Sequence, residues 1–276
     1  MILDSLGLGE IGVVVVVAIL FVDPTKISKA AKAFGAMRQK WNNLQREVKD
    51  QFDTLTLEDN LRDSINGIRT AKAALRREAR EALRAVPASE RALAAEKVLE
   101  HLKEFAAFRD AKTVAVFCST FEEVDTENLI RHALAEGKSV RLPYILDETG
   151  AKPKMALASI RDYDRDLVEG AFGILEPRPE LRAGGVEWGS AAEPESAPDL
   201  ILVPGVAFDE RGGRIGRGKG FYDRFLEGSE AIKVGVAFEA QILRKKLPLE
   251  AHDQLLDGLV TERRMRNFSQ PAEGAA

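Results

Sequence analysis

The apolar and charged residues divide the chain into two unequal parts. Residues 11–22 carry no charge. If the segment is extended back past Glu10 to the apolar residues from Leu6 to Leu8, it gives about 25 Å of helix at a rise of about 1.5 Å per residue. No Lys or Arg precedes Lys26, so the segment lacks the basic start of a cleavable signal peptide. The pattern predicts a short transmembrane helix, and a buried helix or strand is the alternative because the span is short.

Residues 24–55 repeat apolar side chains at helical spacing, which predicts an amphipathic helix. The first half of its polar face is basic, as in helices that lie on an anionic membrane surface. Because acidic residues precede the apolar segment and basic residues follow it, we expect a single-pass protein of the cytoplasmic membrane, with its N-terminus outside and the rest in the cytoplasm. A helix packed on the second part of the chain is the alternative. The basic residues are Lys26, Lys29, Lys32, Arg38 and Lys40.

The second part of the chain alternates between helical and strand patterns. Ala, Leu, Glu and Arg recur at helical spacing over residues 72–86 and 89–108. Short β-rich runs follow, separated by helical or loop segments, and this alternation predicts an α/β domain with a mostly parallel sheet flanked by helices. We place the boundary between the membrane anchor, residues 1–66, and this domain, residues 67–276. The β-rich runs are 113–118, 139–142, 200–203 and 233–238.

The composition of the chain argues against some kinds of partner and of stabilising bond. The 276 residues are 45% hydrophobic and 30% charged, with a net charge of −4, so there is no global reason to expect a nucleic-acid partner. The single cysteine, Cys118, excludes an intramolecular disulfide and lies in an apolar run, which indicates a core thiol in a reducing compartment.

The loop at residues 213–224 carries the strongest chemical signal. It follows a buried-strand pattern and alternates glycines with basic residues, so that backbone N–H groups and positive charge can converge on an anion. The spacing from Gly213 to Lys219 approaches that of a P-loop, but Gly220 stands where Ser or Thr would hold magnesium. The pattern predicts a polyphosphate cradle, and a solvated loop is the alternative. The glycines are Gly216, Gly218 and Gly220, and the basic residues are Arg214, Arg217 and Lys219.

The run from Val203 to Asp223 resembles the signature of the 5-formyltetrahydrofolate cyclo-ligase family. One departure is Phe221, where the family usually has tyrosine. The resemblance covers about residues 69–265, since other family motifs occur in the same order. They are Lys72 to Arg76, Glu122 to Thr126, Gly173 to Pro177, and His252-Asp253.

This resemblance implies ATP-dependent conversion of 5-formyltetrahydrofolate to 5,10-methenyltetrahydrofolate, with release of ADP and phosphate. It implies that Arg217 and Lys219 are catalytic, that Glu123, Phe221 and Tyr222 bind the folate, and that Asp223 and Asp253 hold Mg²⁺. Without the resemblance, Lys72 and Arg76 could form a solvated helix face and Asp253 a helix cap. The implied ATP-binding residues are Lys72, Arg76, Arg214, Ile215, Gly216, Arg217, Gly218, Lys219, Gly220, Phe221 and Tyr222.

Residues 1–60 resemble the TatA/TatB family of the twin-arginine translocase. The resemblance rests on Gly9-Glu10 before the apolar segment, on the sequence from Phe21 to Pro24, and on the basic amphipathic pattern that follows. The family's Phe-Gly-Pro hinge is here Phe-Val-Asp-Pro, and Glu10 favours the TatB-like branch. The resemblance implies the lipid bilayer and other translocase subunits as partners.

Two functional hypotheses follow. In the first, the chain is a membrane-anchored cyclo-ligase, with or without a retained translocase role. In the second, it is a translocase subunit whose folate- or nucleotide-binding domain is catalytically inactive. The complete series of charged site residues favours the first hypothesis, because an inactive domain would be expected to have lost some of them.

Overall fold

The computed structural model describes residues 62–147, 154–170, 173–182, 186–187 and 197–268, together with positions 43 and 46. The chain divides into two units, Met1–Asn66 and Gly67–Ala276. Within the first unit, positions 43, 46 and 62–66 are described, and they are helical. The predicted membrane span lies outside the described residues, as does the amphipathic pattern apart from positions 43 and 46. None of the helices in the described ranges is long and apolar enough to cross a membrane.

The described helices and strands form an α/β domain and lie in the second unit, apart from residues 62–66 at the start of the first helix. The helices are α1 (residues 62–84), α2 (Ala88–Glu104), α3 (Ala106–Asp110), α4 (Glu127–Ala135), α5 (Tyr163–Asp166), α6 (Pro179–Arg182) and α7 (Phe221–Leu226), with a 3₁₀ turn at Glu239–Gln241. The strands of the first half are β1 (Thr113–Ala115), β2 (Ser139–Asp147), β3 (Lys154–Ile160), β4 (Leu167–Glu169), β5 (Leu175–Pro177) and β6 (Val186–Glu187). Those of the second half are β7 (Leu200–Val203), β8 (Ala207–Asp209), β9 (Arg214–Ile215), β10 (Ile232–Val236), β11 (Ile242–Leu243), β12 (Gly258–Val260) and β13 (Met265–Asn267).

An eight-stranded sheet forms the centre, in the order β13-β12-β10-β7-β1-β2-β3-β6. The run from β12 to β2 is parallel, whereas β13, β3 and β6 pair antiparallel with their neighbours. The mostly parallel sheet is therefore confirmed. The β-rich runs found in the sequence correspond to β1, β2, β7 and β10, which lie side by side in the middle of this sheet.

Strand β7 shows why a strand in the middle of the sheet has an uninterrupted apolar sequence. Leu200 and Leu202 pack into the hydrophobic cluster on one face, which includes residues of α2, α3 and α4. Ile201 and Val203 pack into the cluster on the opposite face, which includes Leu226 of α7. Since both faces are covered by helices, every residue of the strand is buried, as is usual for parallel sheets.

The predicted helix at residues 89–108 is interrupted in the structure. Phe105 has an extended backbone, with φ −76° and ψ 116°, and separates α2 from α3. Its side chain still packs against the core, so the helical spacing of apolar residues continues through the break. The sequence pattern alone therefore could not show where α2 ends.

Helix α1 packs against a smaller sheet, β11-β8-β9. Leu75 and Ala79 of α1 share a cluster with Ala207 of β8 and Ile215 of β9. Lys72 lies one turn before Leu75 on the same buried face and is 6% exposed. This burial requires a partner for its ammonium group, since an unpaired buried charge is costly.

The strand order creates a crevice between the ends of β1 and β7. The chain leaves β1 towards β2 on one side, and leaves β7 towards β10 on the other. Loops that diverge in this way at the carboxyl ends of parallel strands leave room for a ligand. Glu123 follows β1 and the glycine-rich loop follows β7, so the topology brings the two predicted site motifs to one place.

Candidate active site

A buried carboxylate organises the turn that precedes the glycine-rich loop. Asp209 ends β8 and is 3% exposed. Its Oδ1 accepts hydrogen bonds from the backbone N–H groups of Arg211 (2.9 Å) and Gly213 (2.8 Å), and its Oδ2 accepts one from Leu247 (2.9 Å). Because both oxygens are engaged, the hairpin between β8 and β9 turns at a fixed place and leads directly into the loop.

Arg214 and Asp223 form a nearly buried ion pair across this loop. Nη2 of Arg214 lies 2.6 Å from Oδ1 of Asp223, and the side chains are 2% and 14% exposed. The guanidinium also lies 5.7 Å from the centre of the Tyr222 ring, which suits a cation–π contact. Since Arg214 belongs to β9 and Asp223 to the first turn of α7, the pair joins the two ends of the loop.

The close approach of this arginine explains one of the glycines. A Cβ atom at Gly216 would lie 2.8 Å from Nη1 of Arg214. Gly218 has a φ of +100°, a backbone conformation that residues with side chains rarely adopt. The loop therefore follows a path that glycine permits at these two positions, where the side chains of Arg214 and Arg76 lie close to its backbone.

Lys72 is held by two carboxylates from the loop near residue 250. Its Nζ donates to Oε2 of Glu250 at 2.8 Å and to Oδ2 of Asp253 at 2.5 Å. The Asp253 side chain is 8% exposed, and its Oδ2 also accepts the backbone N–H of Glu250 at 2.7 Å. One buried ammonium thus faces two carboxylates, which leaves an excess of negative charge at this point.

Arg76 connects α1 to the glycine-rich loop. Its Nε donates to the backbone oxygen of Gly216 at 2.7 Å. Burial lowers the pKa of the Arg76 guanidinium, the positive charge of Arg80 lowers it further, and Asp253 acts in the opposite direction. Lys72 and Arg76 therefore do not form a solvated helix face, because Lys72 binds two carboxylates and Arg76 binds the backbone of the glycine-rich loop.

Glu123 and Arg217 join the loop after β1 to the glycine-rich loop. Nη2 of Arg217 lies 2.5 Å from Oγ1 of Thr120 and 3.3 Å from Oε1 of Glu123. Oε2 of Glu123 accepts hydrogen bonds from the backbone N–H (2.8 Å) and the hydroxyl (3.0 Å) of Thr120. The Glu123 side chain is 11% exposed, whereas that of Arg217 is 48% exposed. The carboxylate is thus fixed, and the arginine keeps an accessible surface.

The Tyr222 hydroxyl is affected by charges from two sides of the site, those of Glu123 and Arg214. Burial raises the pKa of this hydroxyl, the negative charge of Glu123 raises it further, and the positive charge of Arg214 lowers it. The Tyr222 ring meets that of Phe225 edge to face, with centroids 6.0 Å apart. The phenol is therefore neutral at physiological pH and held in place from two sides.

The other predicted residues of the loop differ in what they present to a ligand. The side chain of Ile215 is 1% exposed and belongs to the core, so a nucleotide could meet only its backbone. Lys219 is exposed. The Phe221 ring lies 5.7 Å from the guanidinium of Arg224, which also donates to the backbone oxygen of Lys219 at 3.2 Å.

The residues predicted to hold Mg²⁺ are each paired with a cation in the structure. Asp253 lies beside Glu250 and His252, and within the described ranges these three can bring one ligand atom each to within 4.8 Å of one another. Carboxylate oxygens suit Mg²⁺, so the donors around Asp253 fit this ion. The other predicted ligand, Asp223, has one oxygen in the Arg214 ion pair, which leaves its second oxygen for a metal.

The structure adds site residues that the sequence analysis did not select. Glu250 could have been found because it precedes Asp253 by three residues. Arg80 could have been found because it continues the spacing of four between Lys72 and Arg76. Nothing in the sequence distinguishes Thr120, because its role depends on its contacts with Glu123 and Arg217 in the fold.

The architecture and the site define a class of protein. An α/β domain with a glycine-rich basic loop and carboxylates at its switch point suits an enzyme that binds a phosphorylated co-substrate. Comparisons identify the family. The sequence profile of the 5-formyltetrahydrofolate cyclo-ligase family matches residues 68–262. The chain belongs to this family, and the prediction of a cyclo-ligase is confirmed.

Individual relatives agree with this assignment. A Caenorhabditis elegans protein named "Probable 5-formyltetrahydrofolate cyclo-ligase" is 31% identical over 206 residues, which span 72% of this chain and 96% of that protein. The 5-formyltetrahydrofolate cyclo-ligase of Escherichia coli is 38% identical over 156 residues, 55% of this chain and 78% of that protein. The solved structure of Aquifex aeolicus 5,10-methenyltetrahydrofolate synthetase matches with a TM-score of 0.59 and 35% identity, covering 74% of this chain and 96% of that one.

Proposed function

We propose that the chain converts 5-formyltetrahydrofolate and ATP to 5,10-methenyltetrahydrofolate, ADP and phosphate. Family membership supports the reaction class. The observation that carries the proposal is the contact between Arg217 of the glycine-rich loop and Glu123 of the loop after β1, at 3.3 Å. It brings the predicted ATP-binding and folate-binding segments to the same crevice.

The chemistry explains why both substrates must meet there. The oxygen of the formyl group that N5 carries is a poor leaving group, so this oxygen first attacks the γ-phosphorus of ATP and ADP departs. N10 then attacks the formyl carbon, the bond from that carbon to the phosphorylated oxygen breaks, and phosphate leaves as N10 loses its proton. Positioning and charge neutralisation are the main contributions that a protein makes to such a transfer.

Residues of the loop after β1, of the glycine-rich loop and of α1 would make these contributions. Glu123, fixed by Thr120, would accept hydrogen bonds from the pterin, and Tyr222 and Phe221 would line its pocket. Arg217 and Lys219 have accessible side chains beside the glycine-rich backbone, where negative charge develops on the transferred phosphoryl group. Lys72 and Arg76 would support the nucleotide from α1.

Mg²⁺ is the cofactor that the proposal includes. When bound, it would neutralise charge on the ATP phosphates, with Asp253 and Asp223 as its protein ligands. Glu250 adds a further oxygen donor beside Asp253.

The test uses the full chain purified in mild detergent. We expect the near-ultraviolet absorbance of the methenyl product to appear from 5-formyltetrahydrofolate only when MgATP is present. Lys219→Ala should lose most of this activity, and Arg77→Gln, which changes an exposed charge on α1, should retain it. A folded wild-type chain that binds folate without turnover would instead support the catalytically inactive binding domain.

We further propose that residues 1–66 attach the enzyme to the cytoplasmic membrane, as a TatA/TatB-like anchor. The support is the uncharged segment at residues 11–22 and the basic residues that follow it. The full chain should sediment with membranes and resist an alkaline wash, whereas Val15→Arg should release it, since a central charge makes a span costly. Failure of the full chain to restore export in cells that lack their TatB-like subunit would count against a translocase role.

A further inference from the structure

Arg80 and Glu122 connect helix α1 with the loop after β1. Nε of Arg80 lies 3.5 Å from Oε2 of Glu122, and the side chains are 36% and 23% exposed. Nε is buried and has no hydrogen-bond partner within the part of the chain that the structure describes, so the contact is an ion pair without a well-aligned hydrogen bond. The pair lies in a narrow crevice that Glu123 and Arg217 also line.

The position of Arg80 on its helix links it to the ATP-binding side. It follows Arg76 by one turn and Lys72 by two, so the three basic residues lie on neighbouring positions of one helix face. The positive charge of Arg80 contributes to lowering the pKa of Arg76, as expected for two guanidinium groups one helical turn apart. Arg76 contacts the glycine-rich loop, whereas Arg80 contacts the loop that carries the predicted folate ligand.

The position of Glu122 links it to the folate-binding side. Thr120 to Glu123 form a tight turn, in which the backbone N–H of Glu123 donates to the backbone oxygen of Thr120 at 2.9 Å. The two adjacent glutamates of this turn each bind an arginine from a different element. Glu123 binds Arg217 of the glycine-rich loop, and Glu122 binds Arg80 of α1.

We infer that Arg80 and Glu122 are a positioning pair that fixes the Thr120–Glu123 turn against α1. The inference rests on the function proposed above, because it is the transfer between two bound substrates that needs this fixed spacing. Neither residue touches the reacting atoms. Their role is to keep Glu123 in register with Lys72 and Arg76, so that the formyl oxygen meets the γ-phosphoryl group at the correct distance.

The kinetic test is a double-mutant cycle in the full chain with Arg80→Gln and Glu122→Gln. Each single variant should lower kcat by about 10-fold, since small errors in alignment are costly for reactions of bound groups. The KM for MgATP should change by less than about 2-fold, and the double variant should be no slower than either single one, because all three lack the same interaction. Arg80→Lys should recover part of the loss.

Arg77→Gln is the matched control. Arg77 also belongs to α1 and pairs with Glu81, but both side chains are mostly exposed, at 78% and 66%. This variant removes the same charge from the same helix and should leave kcat unchanged. Thermal unfolding of every variant separates a loss of fold from a loss of alignment.

Hydrogen exchange of the peptide that contains residues 117–126 provides a readout without turnover. Exchange should accelerate in Arg80→Gln and in Glu122→Gln but not in Arg77→Gln. Unchanged exchange would overturn the inference, as would losses in kcat that multiply in the double variant, or a rise in the KM for MgATP confined to Arg80 variants. If the wild type has no turnover, the proposed function fails, and the exchange result alone decides whether the pair positions the turn.

Discussion

The Lys72 ammonium and the Asp253 carboxylate meet at 2.5 Å although 181 residues separate them in the chain. Both side chains are 8% exposed. Lys72 lies on the buried face of α1, and Asp253 lies in a loop near the end of the domain. Their contact, together with Glu250, ties the start of the domain to its end at the predicted nucleotide site.

Asp253→Asn should weaken the use of MgATP. Among the described residues, the substitution leaves Lys72 with Glu250 as its only carboxylate partner, and it removes a predicted Mg²⁺ ligand. We expect the KM for MgATP to rise by about 10-fold, which corresponds to about 1.4 kcal/mol of binding free energy. Initial rates at varied MgATP measure this change. Asp110→Asn, at an exposed position before β1, is the control, and an unchanged KM in Asp253→Asn would remove this residue from the nucleotide site.

Asp223→Asn should reduce stability as well as turnover. It would leave the nearly buried Arg214 guanidinium without its carboxylate, and breaking a buried ion pair in this way costs about 3 kcal/mol. Urea unfolding measures the free energy of unfolding. The comparison is Asp164→Asn, which breaks an exposed pair with Arg131 and should cost far less, because solvent screens that pair. Equal losses in the two variants would contradict the structural role of the buried pair.

Gly218→Ala should impair nucleotide binding beyond its effect on stability. The φ of +100° strains any residue with a Cβ atom, which we expect to cost about 1 kcal/mol of unfolding free energy. Gly137→Ala is matched to it, since Gly137 has a φ of +75° and open space around it, but lies before β2. Both variants should lose similar stability, and only Gly218→Ala should raise the KM for MgATP. A similar KM for the two variants would show that the path of the loop at Gly218 is unimportant for ATP.

Cys118 should react slowly with alkylating reagents in the native protein. Burial, and then the negative charge of Glu176, raise the pKa of its thiol from 9.0 to about 12. The thiolate is the reactive form, so its fraction at pH 8 should be about 1,000-fold lower than for an ordinary thiol.

The pH dependence of this alkylation gives a sharper test. Because the native pKa is raised, the rate with iodoacetamide should keep increasing between pH 9 and pH 11. In the chain unfolded by guanidinium, the rate should level off above about pH 10, where a thiol of pKa 9.0 is mostly ionised. Mass spectrometry of the quenched samples measures both rates, and a native rate that also levels off near pH 10 would contradict the raised pKa.

The sequence predicted the centre of the sheet better than its edges. Strands β1, β7 and β10 are mostly buried and β2 alternates buried with partly exposed residues, so all four appear as short β-rich runs. The edge strands β6 and β13 have two and three residues, and β9 of the smaller sheet has two, which is too short for a periodic pattern. Such strands form because neighbouring strands supply their hydrogen bonds, and that information is not local.

For the site, the sequence by itself determined the glycine-rich basic loop and the family, because both depend on the order of residues along the chain. Only the tertiary structure decided which charges meet. Lys72 with Glu250, Arg80 with Glu122, and Arg217 with Glu123 each join segments that are distant in sequence. The tertiary structure also decided that Ile215 turns its side chain into the core. The physical reason is that ion pairs and burial depend on distances in space, which the fold sets when α1 and the ends of β1 and β7 come together.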